Sequence, residues 1–465
     1  MPAHLDPEIF SGFLDRTRWF GGKGRPYRIT DVRTIGELPG GPPLVVIHVV
    51  EVTYSDAEAG IELYQVPLVF YEYPEHRIDH AFVGWWEDPD HGWQHAYDAV
   101  HDREAMALWQ RAFDAAATEA VAGTLVFHRL PGHDLDLEAS STLFSGEQSN
   151  SSVAFGEDAL MKVFRKVTPG VNPDVAVQEV LTRAGSEHVA ALYGWLEAPL
   201  GERGDDVLQL AMLQQFLRTA SDGWDLALAS VRALFADPEV HAHDSGGDFA
   251  GESARLGDAL QEVHRTLREH FPSATRPASE AAELAATMTG RLDAALGVVP
   301  ELADHAGSLR ATFASVSKLD GLDVQQIHGD LHLGQTLRTS QGWKIVDFEG
   351  EPAKPLAERQ LPDSPWRDVA GMLRSFDYAA RVVERSLSTS EADAELIDTR
   401  AQEWSERNKN HFLYAYAGGQ LTPEQHVLLE AYIADKAVYE TVYETRNRPS
   451  WVAIPLQAVA RIGAA

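Results

Sequence analysis

The sequence contains no cysteine, which excludes disulfide bonds, cysteine nucleophiles and thiolate metal sites. Basic residues are scarce, because 39 Lys and Arg stand against 70 Asp and Glu, for a formal net charge of −31. A surface this acidic repels nucleic acid and anionic membranes, so we expect neither as a partner. The chain also lacks an apolar run of the ~18 residues that span a bilayer, and its start lacks the basic and apolar regions of a signal peptide. These absences predict a cytoplasmic protein.

The length and the patterning bound the fold. At 465 residues, of which 44% are hydrophobic, the chain is long enough for two or three domains with large cores. The first half is rich in strand patterns and the second half in helical patterns, which predicts the α+β class. We place the domains at 1–103, a β-rich unit; 104–216, a smaller sheet unit; and 217–465, a mainly helical unit.

Two segments of the first domain have the β-branched and aromatic runs that are typical of strands, 44–54 and 60–73. The segment 18–25, RWFGGKGR, contains glycines and a lysine, but it lacks the spacing of a phosphate loop and no strand precedes it. We therefore exclude a phosphate-binding role for it. In the third domain, apolar residues recur at helical spacing within 254–271, 370–382, 404–416 and 426–443.

The most informative stretch is 325–352, QQIHGDLHLGQTLRTSQGWKIVDFEGEP. It predicts a loop that carries Asp330, two short strands joined by a turn at 340–342, and Asp347 directly after the second strand. Phosphoryl transfer asks a protein mainly for positioning and charge compensation. A carboxylate beside the attacking hydroxyl and another beside the metal ion meet that need. The stretch therefore favours a kinase-like phosphotransferase.

Individual residues of this stretch suit distinct roles. Asp330 can accept the proton of a substrate hydroxyl, and His328 is expected to orient the loop. Gln335 and Asp347 offer the hard oxygen ligands that suit Mg²⁺. The alternative is that both acids are ordinary turn residues and His328 a packed side chain. Two acids at this spacing, with an apolar strand between them, favour the catalytic interpretation.

A second strand–turn–strand pattern follows the segment 146–152, GEQSNSS. Small polar residues at the open end of such a hairpin can bring backbone N–H groups over phosphates. The alternative is a solvated turn. Lys162 stands within the second of these strands among apolar residues, which is unusual unless it has a charged partner. We expect it to contact nucleotide phosphates, and an edge-strand lysine in solvent is the alternative.

The helix after Lys162 carries two acids that could pair with it, Asp174 and Glu179. Asn172 and Pro173 are typical of the helix start. We prefer Glu179 as the partner, since it lies more than a turn inside the helix, whereas Asp174 can interact with the helix N-terminus.

Several strings resemble known kinases. The pattern HGD, an amide five residues on, and then Asp347 resembles the aminoglycoside-phosphotransferase-like kinases. Longer strings resemble the actinobacterial maltokinases and cover nearly the whole chain: RWFGGKGR, GEQSNSSV, LMKVFRK, HGDLHLGQ, DFEGEP and KAVYETVYETRNRPSWVAIPL. The resemblance implies a eukaryotic-protein-kinase-like bilobal fold with an N-terminal β-rich cap domain, with ATP and Mg²⁺ as cofactors.

The resemblance also implies roles for individual residues. Asp330 is the expected base, and Gln335 and Asp347 are the expected metal ligands. Nucleotide contacts are expected from Ser149, Asn150, Ser151, Lys162, Glu179, Gln214, Gln215 and Phe216. Sugar contacts are expected from His332, Glu349, Tyr439, Tyr443, Glu444 and Trp451, although tyrosines at helical spacing also occur in ordinary cores.

The reaction implied by the resemblance is phosphorylation of maltose at its anomeric hydroxyl, for glycogen or α-glucan synthesis. Trehalose synthase is the implied protein partner. One alternative is a glucosamine kinase or another sugar kinase of the same fold. The other is a non-catalytic kinase-like partner of a trehalose-metabolising enzyme, which the joint presence of Lys162, Asp330, Gln335 and Asp347 disfavours.

Overall fold

The computed structural model describes residues 6–55, 60–88, 92–117, 124–144, 149–200, 206–237, 239–351, 354–387 and 391–462. The chain forms two compact units. The first unit consists of Met1–Glu179 and Ala190–Arg218, and the second of Val180–Val189 and Thr219–Ala465. The predicted ranges 1–103 and 104–216 lie in the first unit except for Val180–Val189, and their division from each other remains a prediction.

An antiparallel sheet forms the first half of the first unit, in the strand order β1-β2-β3-β5-β4. Its strands are β1 Tyr27–Glu37, β2 Leu44–Tyr54, β3 Ile61–Tyr71, β4 Phe82–Asp88 and β5 Gly92–Asp98. Helix α1, Pro7–Leu14, packs its buried aromatic residues on one face of this sheet. The strand predicted at 44–54 is confirmed, and that predicted at 60–73 is found two residues shorter at its C-terminal end and one at its start.

A second antiparallel sheet follows helix α2, Arg103–Ala115, in the order β6-β11-β12-β9-β8-β7. Its strands are β6 Val126–Arg129, β7 Ser141–Leu143, β8 Asn150–Phe155, β9 Ala159–Phe164, β11 Leu192–Leu200 and β12 Asp206–Gln215. The short strand β10, Lys166–Val167, pairs with β3, and helix α3 spans Pro173–Arg183. One hydrophobic core joins this sheet, α2 and the other face of the first sheet.

The second unit is mainly helical. Its helices are α4 Gly223–Phe235, α5 Ala250–His270, α6 Ala278–Leu296, α7 Ala306–Val316, α8 Leu356–Arg359, α9 Trp366–Ser386, α10 Glu391–Ala417, α11 Pro423–Asn447 and α12 Ala453–Ile462. Its strands are β13 Ser221–Asp222, β14 Ala274–Pro277, β15 Gly321–Val324, β16 Thr336–Thr339 and β17 Gly342–Ile345. The predicted α+β class is confirmed.

Helical periodicity explains how the long helices of the second unit pack. In α5, Leu256, Leu260, Val263 and Leu267 recur at intervals of three or four residues, and all four are buried. Among the described residues, no helix has the length and apolar character that crossing a membrane requires.

Candidate active site

The stretch that carries Asp330 and Asp347 forms a loop and a hairpin within the second unit. Strands β16 and β17 pair antiparallel from Thr336 opposite Ile345 to Thr339 opposite Gly342, so residues 340 and 341 form the turn. The strand–turn–strand predicted from the sequence is therefore observed. A backbone hydrogen bond from Val346 N to Gln335 O, 3.0 Å long, extends the pairing to the residue before Asp347. The hairpin thus holds the two acidic segments side by side.

A buried carboxylate on α9 fixes the loop before Asp330. The backbone N–H groups of His328 and Gly329 donate to Asp368, at 2.7 and 2.8 Å. His264 on α5 contacts the same carboxylate at 3.0 Å through Nε2, and its Nδ1 lies 2.9 Å from the Tyr416 hydroxyl. Burial acts to raise the pKa of Asp368, but these hydrogen bonds and the charge of His264 outweigh burial and lower the pKa. The ionised carboxylate is therefore the form that holds the loop.

A glycine on α9 lets the loop that carries Asp330 approach this helix closely. Gly371 of α9 lies against Leu331, and a Cβ on it would come within 2.5 Å of the Leu331 carbonyl oxygen.

His328 is buried, and its Nε2 donates to Val346 O at 3.0 Å while its Nδ1 accepts from Asp330 N at 3.3 Å. One tautomer satisfies both bonds. His328 therefore ties the Asp330 loop to the end of β17, in agreement with the orienting role expected from the sequence.

The carboxylate of Asp330 is partly exposed and lies 3.2 Å from the ammonium group of Lys436 on α11. Burial acts to lower the pKa of Lys436, but the charges of Asp330 and Glu440 outweigh it and raise the pKa. Lys436 therefore remains protonated, and its ammonium group donates to the Asp330 carboxylate. An ionised carboxylate is the form that can accept a proton from a hydroxyl.

Gln335 and Asp347 meet at the other end of the hairpin. The Gln335 side-chain nitrogen donates to Asp347 Oδ2 at 3.0 Å, which leaves the amide oxygen as the atom for a cation. Asp347 has φ of 69°, and it is the one non-glycine with positive φ in the described part of the chain. Such backbone strain is concentrated at functional sites. Oxygen donors of this kind suit Mg²⁺, so the residues fit the predicted metal site.

A cavity of about 840 Å³ opens beside Asp330, within the second unit. Its volume falls within the range of ligand-binding pockets. It brings together five of the six residues predicted to contact a sugar: His332, Tyr439, Tyr443, Glu444 and Trp451. Acidic residues that sequence reasoning missed also line it: Asp222, Asp225 and Glu351. The cavity therefore has a candidate base at its wall together with aromatic and charged side chains.

One face of α11 forms a wall of the cavity. Lys436, Tyr439 and Tyr443 follow at intervals of three and four residues, which places them on the same side of the helix. The two tyrosine rings stack with centroids 6.3 Å apart and are 41% and 43% exposed, so they are not core residues. Arg448 follows, with its guanidinium carbon 4.6 Å from the centre of the Trp451 ring. Rings and charges in this order suit a sugar ligand.

Two of the predicted sugar contacts differ from the others in their surroundings. Glu444 lines the cavity, but its carboxylate is bound by Arg448 at 2.6 and 2.9 Å and by the Tyr378 hydroxyl at 3.3 Å, so it positions Arg448. Glu349 is not among the described residues that form the cavity wall. It follows Asp347 beyond the turn, where its carbonyl accepts from Arg359. Glu349 thus lies outside the wall of this cavity, and its contact with a sugar remains a prediction.

His332 lines the cavity two residues after Asp330. Its Nδ1 accepts from Gly334 N at 3.1 Å, so the ring caps the short turn that leads to Gln335. Burial lowers the pKa of His332, although the charge of Asp330 acts in the opposite direction. The ring is therefore neutral near pH 7 and can position the loop without adding charge.

In the first unit, Lys162 pairs with Asp174 at 3.1 Å, whereas the sequence had led us to prefer Glu179. Asn172, which was expected at the helix start, accepts from Asp174 N at 2.9 Å and caps the helix, so the Asp174 carboxylate is not needed for the cap. The Asp174 carboxylate is buried and bound also by Gln178 at 2.9 Å, which directs it to Lys162. The preference for Glu179 was wrong.

The other predicted nucleotide contacts lie at two places in the second sheet. Ser149, Asn150 and Ser151 stand at the start of β8, whereas 146–148 fall outside the described residues. The Ser151 hydroxyl accepts from Arg165, on the face of β9 opposite to Lys162. The second place is the end of β12, with Gln214, Gln215 and Phe216, where Phe216 N donates to Asp158 O at 2.8 Å. Their contact with a nucleotide remains a prediction.

Sequence reasoning missed Lys436, Asp368 and His264. Lys436 carried a usable signal, because it lies one turn before the predicted Tyr439 on the same helical face. Asp368 and His264 carried none, since they meet the loop only through tertiary packing. Asp368 lies 39 and 40 residues from the loop residues that it contacts, and His264 lies 61 residues from Gln325.

Asp368→Asn is expected to lower kcat by more than its loss of stability explains, because the loop that carries Asp330 would lose its anchor. Removing a buried, charged hydrogen-bond acceptor costs about 2–3 kcal/mol of unfolding free energy. The lowered pKa means that the ionised group stabilises the fold above its ordinary pKa of 3.8, and this stabilisation is lost as the pH falls through the folded value. As the pH is lowered, the unfolding free energy of the variant should therefore fall less steeply than that of the wild type.

The matched control is Asp377→Asn. Asp377 is an acid on the same helix whose pKa is also lowered, against burial, by Lys409 and Arg374, and it contacts α10 rather than the loop. Denaturant unfolding and steady-state kinetics of both variants test the role. Equal losses of kcat at equal losses of stability would show that Asp368 has no specific link to the loop.

The sequence was compared with known proteins. Residues 13–102 match the maltokinase N-terminal cap domain. A glucosamine kinase of Streptacidiphilus jiangxiensis is 30% identical over 328 residues, which are 66% of this chain and 70% of the relative. A glucosamine kinase of Mycolicibacterium smegmatis is 25% identical over 321 residues, 66% of this chain and 76% of the relative.

Solved structures resemble the whole chain. A glucosamine kinase in its crystal form B aligns with a TM-score of 0.70 at 22% identity, over 100% of this chain and 98% of that structure. A glucosamine kinase in complex with glucosamine, ADP and inorganic phosphate aligns with a TM-score of 0.67 at 22% identity, over 99% and 100%. The predicted kinase-like fold with an N-terminal cap domain is confirmed. This chain belongs to the family of sugar kinases that includes the glucosamine kinases and carries a maltokinase-type cap domain.

Proposed function

We propose that this chain is an ATP-dependent maltokinase, which transfers the γ-phosphoryl group of ATP to the anomeric hydroxyl of maltose and yields ADP and maltose 1-phosphate. The observation that carries the proposal is the cavity that holds Asp330 beside Lys436 and continues along the Tyr439–Tyr443 face of α11. The proposed base Asp330, the ammonium group of Lys436 and the proposed sugar-binding wall then line one cavity.

In the proposed reaction, Asp330 accepts the proton of the anomeric hydroxyl as that oxygen forms a bond to the γ-phosphorus, and the bond from phosphorus to the ADP oxygen breaks. Lys436 holds the Asp330 carboxylate in place through the hydrogen bond from its ammonium group. His328 and Asp368 fix the backbone of the loop. These groups reduce the reorganisation that the reaction requires.

Gln335 and Asp347 are the proposed ligands of Mg²⁺, which supplies charge compensation on the phosphates. Lys162, held by Asp174, is the proposed contact of the α and β phosphates. Ser149 and Asn150 are proposed to contribute backbone groups to the phosphates, and the end of β12 to border adenine.

The aromatic wall favours a disaccharide over a single pyranose. Tyr439, Tyr443 and Trp451 follow one another along the cavity, so that successive sugar rings can each meet a ring face. The cavity volume of about 840 Å³ exceeds the lower end of the range for small ligands. The match of residues 13–102 to the maltokinase cap domain is consistent with this choice.

A glucosamine kinase is the second candidate function. The curated relatives are named as glucosamine kinases, and acids at the cavity wall, such as Asp222, Asp225 and Glu351, suit the ammonium group of an amino sugar. A non-catalytic role is a third class. Initial rates of Mg-ATP consumption with maltose, glucose, glucosamine and aminoglycosides separate these candidates. We expect the highest kcat/KM with maltose, and a higher value with glucosamine would transfer the assignment to the second candidate.

Tyr443→Ala is expected to raise the KM for the sugar about tenfold, with a smaller change in the KM for ATP, because it removes a ring face from the proposed sugar wall. The matched control is Tyr414→Ala, since Tyr414 is also a helical tyrosine, is 66% exposed and does not line the cavity. Steady-state kinetics with each substrate varied test the expectation. An unchanged sugar KM in Tyr443→Ala would place the sugar elsewhere.

On the basis of the resemblance, we propose trehalose synthase as a protein partner. We also propose that this chain acts in the cytoplasm. Mixing the purified proteins and measuring the mass of the eluted species by light scattering tests the association. Separate elution at micromolar concentrations would contradict a stable complex.

A further inference from the structure

A second cavity, of about 370 Å³, lies within the first unit. It is lined by side chains that follow α1, by the start of β4 and the residues after β5, and by the ends of β7, β8 and β9. Three arginines reach its wall, Arg16, Arg18 and Arg165, whereas Asp98 is the one acid among the described residues that line it. An excess of positive charge is unexpected in a chain with a net charge of −31.

Arg165 is the central group of this cavity. Its side chain is 1% exposed; its Nε donates to Ser151 Oγ at 2.8 Å and its Nη2 to Asp98 Oδ2 at 2.7 Å. The indole of Trp19 covers the guanidinium, with the guanidinium carbon 4.7 Å from the ring centre. No acceptor among the described residues lies within hydrogen-bonding distance of the buried Nη1. A buried, charged donor without an acceptor is costly, which indicates that a ligand supplies the acceptor.

This cavity is distinct from the proposed nucleotide contact of Lys162. Successive side chains of a strand point to opposite faces of the sheet, and Lys162 and Phe164 share one face, with the ammonium 5.9 Å from the Phe164 ring centre. Arg165 and Ser151 lie on the other face, as their hydrogen bond shows. An anion at Arg165 is therefore separated from Lys162 by the sheet itself.

Two histidines add donors to the cavity. His80 and His101 contact each other at 3.1 Å between Nε2 and Nδ1. Burial lowers the pKa of His101, and Arg165 and His80 lower it further, whereas Asp98 acts to raise it. The lowered pKa favours the neutral form of His101, so an imidazole N–H can act as a neutral donor beside the charged guanidinium groups. Arginine forks and imidazole donors together match the oxygens of a phosphate group.

We propose that this cavity binds a phosphate-class oxyanion, either free phosphate or the phosphate of a small phosphorylated sugar, with Arg165 Nη1 as its central donor. The site lies on the opposite face of the sheet from Lys162, although Asn150, whose backbone is proposed to contact the nucleotide phosphates, also lines it. Its ligand would link the first sheet to the start of β8, directly after the segment at 146–148.

The test is calorimetric titration of the full-length protein with inorganic phosphate at low ionic strength, without nucleotide or Mg²⁺. Arg165→Lys keeps a positive charge for Asp98 but removes the unused donors, and it should weaken binding about tenfold or more. Arg16→Gln removes one charge from the cavity without touching the buried pair, and it should weaken binding by a smaller factor. Binding should also weaken with added salt.

Two control variants make the outcome decisive. Arg33→Gln removes a charge from an exposed ion pair of the first sheet away from the cavity, and Lys162→Met removes the charge on the other face of the second sheet; neither should change phosphate affinity. Loss of binding in Lys162→Met with no change in Arg16→Gln would overturn the proposal, as would an absence of phosphate binding by the wild-type protein. Thermal melts identify an unfolded Arg165→Lys variant, in which case Arg16→Gln decides. Titration with glucose 1-phosphate then distinguishes the sources, because tighter binding than phosphate assigns a phosphorylated sugar and equal or weaker binding assigns free phosphate.

Discussion

Replacement of Asp330 by Asn is expected to lower kcat by roughly 10²–10⁴-fold, the usual effect of losing a general base, with little change in nucleotide affinity. Asn keeps the shape of the side chain and an oxygen that can accept from Lys436. In the wild-type protein, the Lys436 ammonium lies 3.2 Å from the Asp330 carboxylate. What the variant loses is basicity and charge beside the acceptor hydroxyl. An anomeric hydroxyl is more acidic than an ordinary alcohol, so the loss should fall toward the lower end of that range.

Steady-state kinetics with maltose, together with a calorimetric titration with ATP, measure the two effects separately. Asp323→Asn is the matched control, because Asp323 lies seven residues upstream on β15, bonds Thr275 at the surface and does not line the cavity. Near wild-type kcat in Asp330→Asn would exclude Asp330 as the base. A parallel loss of ATP affinity and activity would assign Asp330 to the metal site instead.

Asp347→Ala is expected to abolish metal-dependent turnover while the fold stays intact, because the carboxylate serves the ion rather than the core. Gln335→Ala should have a smaller effect, since a neutral amide contributes less charge to a divalent cation. The measurement is kcat as a function of Mg²⁺ concentration, with circular dichroism as the check on folding. The same Mg²⁺ dependence in the wild type and in Asp347→Ala would remove Asp347 from the metal site.

Asp347→Asn separates charge from backbone strain at this position. Asn tolerates the left-handed conformation that Asp347 adopts at φ of 69°, whereas Ala tolerates it less well. If charge is what matters, Asn and Ala should lower turnover to a similar extent. Retained turnover with Asn and loss with Ala would show that backbone geometry, and not charge, is what the position supplies.

Local sequence signals predicted the parts of the site that lie close together in the chain. The turn between β16 and β17 and the two acids that flank the hairpin follow from turn chemistry and alternation over fewer than thirty residues. The same holds for β2, whose β-branched run indicates a strand, and for the apolar stripe of α5, which repeats every three or four residues. Tyr439 and Tyr443 were found because they share a helical face.

The remaining parts depend on tertiary contacts that no local pattern encodes. Lys436 meets Asp330 across 106 residues, and His264 meets Asp368 across 104. The preferred partner of Lys162 was wrong, although Asn172 was expected at the helix start and does cap α3. Asp174 was expected to interact with the helix N-terminus, and only the structure shows that its carboxylate is directed to Lys162.

The most direct test of the central proposal is identification of the product by ¹H–³¹P correlation NMR after incubation of the wild-type protein with Mg-ATP and maltose. We expect a phosphorus resonance coupled to the anomeric proton of the reducing glucose unit, formed only with ATP and Mg²⁺ present and strongly reduced with Asp330→Asn. Phosphate on a different hydroxyl would contradict the proposed site of attack. An absence of any phosphorylated sugar across the panel, from protein that is folded and saturated with nucleotide, would contradict catalysis itself.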